Sequence, residues 1–533
     1  MNFKQILLLL PSIFATLMFI ASSCSKKEET KTPEITVPMV TTAPVTAITQ
    51  ISAESGGAVI SDGGSPVTAK GICWSTVQHP TIDDPKTSDG TGTGDFNSTM
   101  TGLVANTPYF LRAWATNSKG TNYGNELTFV TLKSITANFT VDKNKIFRGE
   151  SVQFVNVSTG SPTSLAWSFE EGIPAVSNEA NPLVKFSNAG TFKAKLTIQK
   201  ENESDFKTVD IVVQPFTLSI SPKLAIIRQD TALTFNVDYP QGSSHQIQYS
   251  LVPNLGSINN GLFTGPGNLL NSEFVVLTAN SDLLPEIKDQ ADIYLVGASD
   301  FEGCGGYQTF LSNGIMIENN IWNASSISNY KQCVYHLNIG GNELFAWKWQ
   351  YPLTATNVNA YPEIVYGWKP WYSSSTTTNL PRQINSITTL KVNYEVESDV
   401  EGGGYNLAFD NWITASPLST PEDIRFEFMI WEDSKNLTPF GDYLATVNTT
   451  NGSYKLFKGE PTWEPPGTNW TYLAFKRTTG RTQGVVDVDE MLNYLVNNGI
   501  VPANYYLASL ELGNEVTSGR GFTVVKKFEV AIE

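Results

Sequence analysis

Arg425-Phe426-Glu427-Phe428-Met429-Ile430-Trp431 alternates with a period of two. Successive side chains of a strand point to opposite faces, so Phe426, Phe428 and Ile430 share one face and Glu427, Met429 and Trp431 the other. An acid beside a thioether and an indole suits a cleft better than bulk solvent. Tyr505 to Glu515 reads similarly, with Tyr506, Ala508, Leu510 and Leu512 inward and Ser509, Glu511, Gly513 and Glu515 outward. A third strand, Tyr405 to Ile413, groups Asn406, Ala408, Asp410 and Trp412. Three such faces lining one groove would supply two carboxyls, one to protonate a leaving oxygen and one to attack or activate water. Solvated acids that discourage edge pairing give the same pattern. Alternation alone leaves both readings open.

Outward from these strands, the composition points the same way. The chain has 533 residues, 41 Gly, 28 Pro and 11% aromatics, with few helix-forming runs. That predicts several all-β modules. The net charge of -16, without a basic patch, argues against nucleic acid and leaves an uncharged polymer as an allowed partner. His79, His245 and His336 lie far apart and show no metal-binding spacing, so neither a metal nor a cofactor is expected. Most tryptophans follow Ser299, and exposed indole faces can stack on the apolar face of a pyranose.

At the N-terminus, Lys4 precedes an apolar run from Ile6 to Ala21 that reaches Ser22, Ser23 and Cys24. This is the pattern of a secretory signal over residues 1–23, too short and too interrupted by Pro11 for a membrane span. Cys24 after small residues resembles a loose lipobox, which implies lipidation at Cys24. Ser25-Lys26-Lys27-Glu28-Glu29 resembles the export signal of Bacteroidetes surface lipoproteins. The expected location is therefore the cell outer membrane, lipid-anchored and facing outward, with residues 24–37 as a Thr/Pro-rich tether.

Residues 38–132 show short alternating runs and end in Gly102-Leu103-Val104-Ala105-Asn106-Thr107-Pro108-Tyr109, similar to a fibronectin type III sandwich. Cys73 reads as a buried apolar residue. Residues 134–215, with Trp167-Ser168-Phe169-Glu170-Glu171-Gly172, resemble a PKD-type Ig-like module. Residues 216–298 resemble a bacterial Ig-like repeat. All three are expected to act as spacers.

Residues 299–533 carry an ordered run of motifs. Asn319-Asn320-Ile321-Trp322-Asn323 opens it, and Ala346-Trp347-Lys348-Trp349 and Val358-Asn359-Ala360-Tyr361-Pro362 follow. Asn406-Leu407-Ala408-Phe409-Asp410, Glu427-Phe428-Met429-Ile430-Trp431 and Leu512-Gly513-Asn514-Glu515 complete it. The series resembles glycoside hydrolase family 12, retaining endo-β-1,4-glucanases and xyloglucanases with a concanavalin-like β-jelly-roll. The implied fold is all-β, three tandem Ig-like sandwiches followed by that jelly-roll. The resemblance implies Glu427 as nucleophile, Glu515 as general acid/base and Asp410 beside the nucleophile. It places Asn320, Trp322, Met429 and Trp431 on the glycone side of the cleft and pairs Cys304 with Cys333. Repulsion among the carboxylates is expected to keep a proton on Glu515. Asp487-Val488-Asp489-Glu490 reads as a capping box opening a helix that buries Val488, Met491, Leu492 and Leu495. Glu432-Asp433 and Val516-Thr517 depart from the family pattern and leave the leaving-group subsites, and with them the preferred glucan, open.

The expected activity is hydrolysis of xyloglucan or other soluble β-glucan by a monomer. Two alternatives are a non-catalytic glycan-binding lipoprotein and an adhesin-like structural protein.

Overall fold

The strand-rich composition becomes tandem β-sandwiches in the computed structural model, which describes residues 34–324, 327–418, 420–461 and 470–533. Cys24 and the export segment lie outside the described residues. Among the described residues no helix is long and apolar enough to cross a membrane. The chain divides into two compact units. One comprises the described residues up to Asn144 with Val152–Val184 and Phe192–Ile211; the other comprises Lys145–Ser151, Lys185–Thr191 and Val212–Glu533.

In the first unit, a three-stranded and a four-stranded sheet enclose a core that includes Ile72, Leu103, Tyr109 and Leu111. The Tyr109 hydroxyl accepts the Val104 N–H at 3.1 Å, which ties down the corner of the sandwich. Cys73 is a free, buried thiol, and burial pushes its pKa up to about 11. Phe139, Phe154, Trp167 and Phe169 form an aromatic cluster further along, with centroids 4.9–5.9 Å apart. Glu171 adopts φ +53° where a turn after the Trp strand needs a left-handed residue.

The second unit contains the third sandwich and the C-terminal jelly-roll. Six strands of the jelly-roll form its outer sheet, in the order Phe301–Gly303, Lys331–Ile339, Asn342–Tyr351, Gly519–Ile532, Leu390–Glu401, Gln483–Asp487. The larger, eleven-stranded sheet includes β1 (Ile315–Glu318), β2 (Glu363–Gly367), β3 (Tyr405–Thr414), β4 (Ile424–Lys435), β5 (Thr471–Arg477) and β6 (Ser509–Gly513). Their order is β1-β2-β6-β3-β4-β5, and β4 and β5 run parallel. Phe409, Phe428, Ile430, Leu473, Phe475, Leu510 and Leu512 from this sheet meet Trp347, Val392 and Tyr394 from the other in one core. The opposite face of the larger sheet is thereby left to form the groove.

Three expectations need correction. The strand through Tyr506 is interrupted at Ala508, so the alternation slips there. Leu507 enters the core, while Ala508 packs with Trp412 and Trp470. Second, the helix spans Val488–Asn497 and buries Val488, Met491, Leu492 and Leu495, but Asp487 makes no side-chain cap. Its carboxylate is taken by the Lys391 ammonium at 2.7 Å and by Asn451. Third, the module over residues 216–298 does not stand apart from the domain that follows it. Its Leu224, Ile226, Tyr294 and Val296 are buried in one cluster with Tyr335, Leu337, Ala346, Phe522 and Val524 on the outside of the jelly-roll.

Candidate active site

The groove is built by register. Trp412 lies opposite Glu427 across β3 and β4, Asp410 opposite Met429, and Ala408 opposite Trp431. Glu427 pairs with Tyr472 across to β5, and Ala408 pairs with Gly513 across to β6. Glu427, Asp410 and Tyr472 therefore project from adjacent strands on one face, with Glu515 just beyond the end of β6. Glu427 accepts a hydrogen bond from Trp470 Nε1 at 2.8 Å.

Glu515 is held by a single partner on three atoms. Asn406 Nδ2 donates to its carboxylate, its own N–H donates to Asn406 Oδ1 at 2.8 Å, and its carbonyl accepts the Asn406 N–H at 3.1 Å. The turn before it is equally fixed. Asn514 Oδ1 accepts from Trp347 Nε1 at 2.8 Å, and Asn514 Nδ2 donates to Asn406 O at 2.6 Å. A Cβ at Gly513 would lie 2.6 Å from Pro362 O and 2.9 Å from the Tyr361 ring, so only glycine fits there.

Burial pushes the Glu515 pKa up to about 7, with the Asn406 hydrogen bond acting in the opposite direction. Burial was not the expected cause. Repulsion acts on Asp410 instead: burial, then the charges of Glu427, Glu511, Glu363 and Glu515, lift its carboxyl well above the usual range. Asp410 Oδ1 is buried without a hydrogen-bond partner. The Tyr472 phenol, raised first by burial, is raised further by Glu515, Glu427 and Asp410, so all three carboxyls lie within electrostatic reach of one hydroxyl. The arrangement offers a protonated acid and a second carboxyl across one groove, as double displacement requires.

Residues 313–533 match the family model of glycosyl hydrolase family 12, and residues 136–213 match the PKD domain. The C-terminal domain is a family 12 glycosyl hydrolase. Endoglucanase S of Pectobacterium parmentieri is 28% identical over 233 residues, covering 42% of this chain and 84% of that protein. Xyloglucan-specific endo-beta-1,4-glucanase 1 of Phytophthora nicotianae is 27% identical over 227 residues, covering 41% and 86%. A third relative, from the same Phytophthora, is named inactive glycoside hydrolase XLP1; it is 26% identical over 234 residues, covering 42% and 87%. A likeness to family 12 sequences therefore does not by itself decide activity; the carboxyl groups must.

The other residues expected in this family 12 cleft fall in two places. Asn320 Nδ2 donates to Glu363 Oε1 at 3.0 Å, and Trp322 beside it is 50% exposed. Met429 and Trp431 are buried with Ala408, Tyr472 and Ala474, and Trp431 Nε1 donates to Met429 Sδ at 3.4 Å. They support the floor under Tyr472. Cys304 and Cys333 form a disulfide at the edge of the outer sheet. The same two sulfurs, with Glu302, make up the only metal-like cluster among the described residues, and the disulfide ties up both thiols.

Sequence reasoning missed a second acidic group. Lys369 Nζ lies 3.0 Å from Glu318, 2.5 Å from Glu363 and 3.4 Å from Glu511, all buried and on β1, β2 and β6. Burial opposes the Lys369 charge, but the three carboxylates outweigh it and hold its pKa well above the ordinary lysine value. Burial, opposed by the Lys369 charge and reinforced by Glu511 and Glu318, lifts the Glu363 carboxyl well above the usual range. A signal was present for Glu363, because Ile364 in the core puts Glu363 on the groove face. Lys369 sits in a loop after β2, where no period marks it.

Proposed function

We propose that the C-terminal domain is a retaining endo-β-1,4-glucanase that cleaves xyloglucan or another soluble β-glucan, held outside the cell by a lipid on Cys24. One observation carries the enzymatic reading: Glu427 and Glu515, the latter with its pKa raised by burial to about 7, border one groove from β4 and from just beyond β6. In the first step Glu427 attacks the anomeric carbon, and Glu515 gives its proton to the departing glycosidic oxygen. In the second, Glu515 takes a proton from water, which attacks the same carbon and releases Glu427. Trp470 orients the nucleophile through its indole N–H. Asp410, whose carboxyl burial and the Glu427 charge push well above the usual range, lies on the same face between Glu427 and Glu515.

The groove's acidity disfavours anionic polymers and suits a neutral glucan. The test is reducing-sugar release by the full mature chain from xyloglucan, barley-type glucan, carboxymethylcellulose and xylan. Glu427→Gln and Glu515→Gln should each lower kcat by about 10²–10⁴-fold on the preferred glucan. Near wild-type rates in either variant would remove the role assignment. Inertness of the parent on all four, with tight binding to one, would support the glycan-binding alternative. The first product detected by proton NMR should be the β-anomer.

A further inference from the structure

Among the described tryptophans only Trp322 and Trp371 are about half exposed, at 50% and 52%. Trp322 belongs to the motif run; Trp371 belongs to no motif. It stands on the loop after β2, which is pinned at several points. The Trp368 N–H donates to Ala508 O at 2.8 Å, Trp368 Nε1 to Tyr372 O at 2.8 Å, and the Thr376 N–H to Gly367 O at 2.8 Å. Lys369 is the deepest anchor, reaching through to Glu318, Glu363 and Glu511 on three strands of the groove floor.

So held, Trp371 meets Trp412 edge to face at 4.9 Å. Trp412 meets Trp470 edge to face at 5.4 Å, and Trp470 donates to Glu427. The exposed indole is thus the outer end of an aromatic chain that finishes on the nucleophile. A half-exposed Trp on a loop this firmly fixed incurs little ordering entropy when a ring stacks on it. Along β3, Asn406 with Glu515 marks one end of the groove and Trp412 with Trp371 the other, with Asp410 between.

We propose that Trp371 is a stacking platform for an outlying glucosyl unit of the β-glucan, and that Lys369, locked to Glu318, Glu363 and Glu511, is the positioning residue that holds it there. This rests on the glucanase reading above. The platform extends the bound length of glucan beyond the cleavage point, and a polymer gains more from it than a short oligosaccharide.

Binding is measured by calorimetry on the full mature chain carrying Glu427→Gln, which stops turnover. The titrants are the polymer cleaved by the wild type and cello-oligosaccharides of increasing length. Adding Trp371→Ala should weaken polymer binding about tenfold, the loss of one aromatic stacking contact. Trp371→Phe should recover most of the loss, and the deficit should disappear for the shortest ligands. Trp371 is half exposed, so its variants should still fold, which a melting curve of each variant checks. Lys369→Met should reproduce the polymer deficit in whatever fraction folds. A loss under threefold for Trp371→Ala, with the parent binding normally, overturns the platform. A parent that binds no glucan overturns the glucanase reading, and the platform with it.

Discussion

Glu515 carries the tightest link between structure and rate. Under the proposed mechanism, a carboxyl buried until its pKa reaches about 7 donates its proton below that pH and fails above it. The alkaline limb of kcat/KM should therefore fall near pH 7. Asn406 sharpens the test, because its N–H stabilises the ionised form and so lowers the pKa. Asn406→Ala removes that donor, so the Glu515 pKa rises and the alkaline limb moves to higher pH. An unmoved or acid-shifted limb in a pH-rate profile would show that another group titrates there. The positions of Glu427 and Glu515 were legible because each sits in a motif whose neighbours pack predictably. The source of the raised pKa was not. Alternation tells which face a carboxyl occupies, whereas its proton affinity depends on how deeply neighbouring strands bury it. Glu318, Glu363 and Lys369 were missed for a related reason: their chemistry exists only once three strands and a loop are adjacent.

At the scale of elements, period-two patterning correctly placed Phe426, Phe428 and Ile430 in the core and Asp410 and Trp412 in the groove. It failed at Ala508, where β6 is preceded by a break. Uniform alternation has no means of marking such a slip. The helix from Val488 is a different case, in which the buried stripe was legible and the cap was not. Asp487 is fully buried and binds Lys391 and Asn451, a tertiary demand stronger than local capping. Burial works against its charge, but those two partners outweigh it and hold its pKa below the usual value. Such a group contributes stability above the unfolded carboxylate range and loses it as pH falls through the depressed folded value. Asp487→Ala should cost about 1–3 kcal/mol at pH 7, more than a simple cap exchange, because it leaves partners unpaired. Urea unfolding of the variant at pH 7 and below pH 3 checks both halves, since the difference from wild type should shrink in acid.

At the scale of the whole molecule, the module over residues 216–298 changes where the C-terminal folding unit begins. Leu224-Ala225-Ile226-Ile227 and Ile293-Tyr294-Leu295-Val296 are continuous apolar runs, and the two strands pair in parallel. A strand that faces solvent on one side alternates, and an unbroken run signals burial on both faces. That signal was present in the sequence, but it does not name the second partner. The structure does: Ala225, Ile227, Ile293 and Leu295 fill the module's own core, while Leu224, Ile226, Tyr294 and Val296 cover the outside of the jelly-roll. Polar contacts rim this apolar contact. Arg228 pairs with Glu302, Ser221 Oγ donates to Glu401 at 2.5 Å, and the Tyr294 hydroxyl donates to Glu397 at 3.1 Å. Burying each large apolar side chain contributes about 1.5–3 kcal/mol, an upper estimate, so the joint is comparable with the net stability of a domain. A fragment of residues 299–533 would expose Tyr335, Leu337, Phe522 and Val524 together, an apolar patch prone to association. It should melt several degrees below a fragment of residues 212–533 and aggregate at concentrations where the longer one stays monomeric. Ile226→Asp in the longer fragment should reproduce that loss by burying an unpaired charge. Equal melting temperatures for the two fragments, read by calorimetry, would return the module to the role of a spacer.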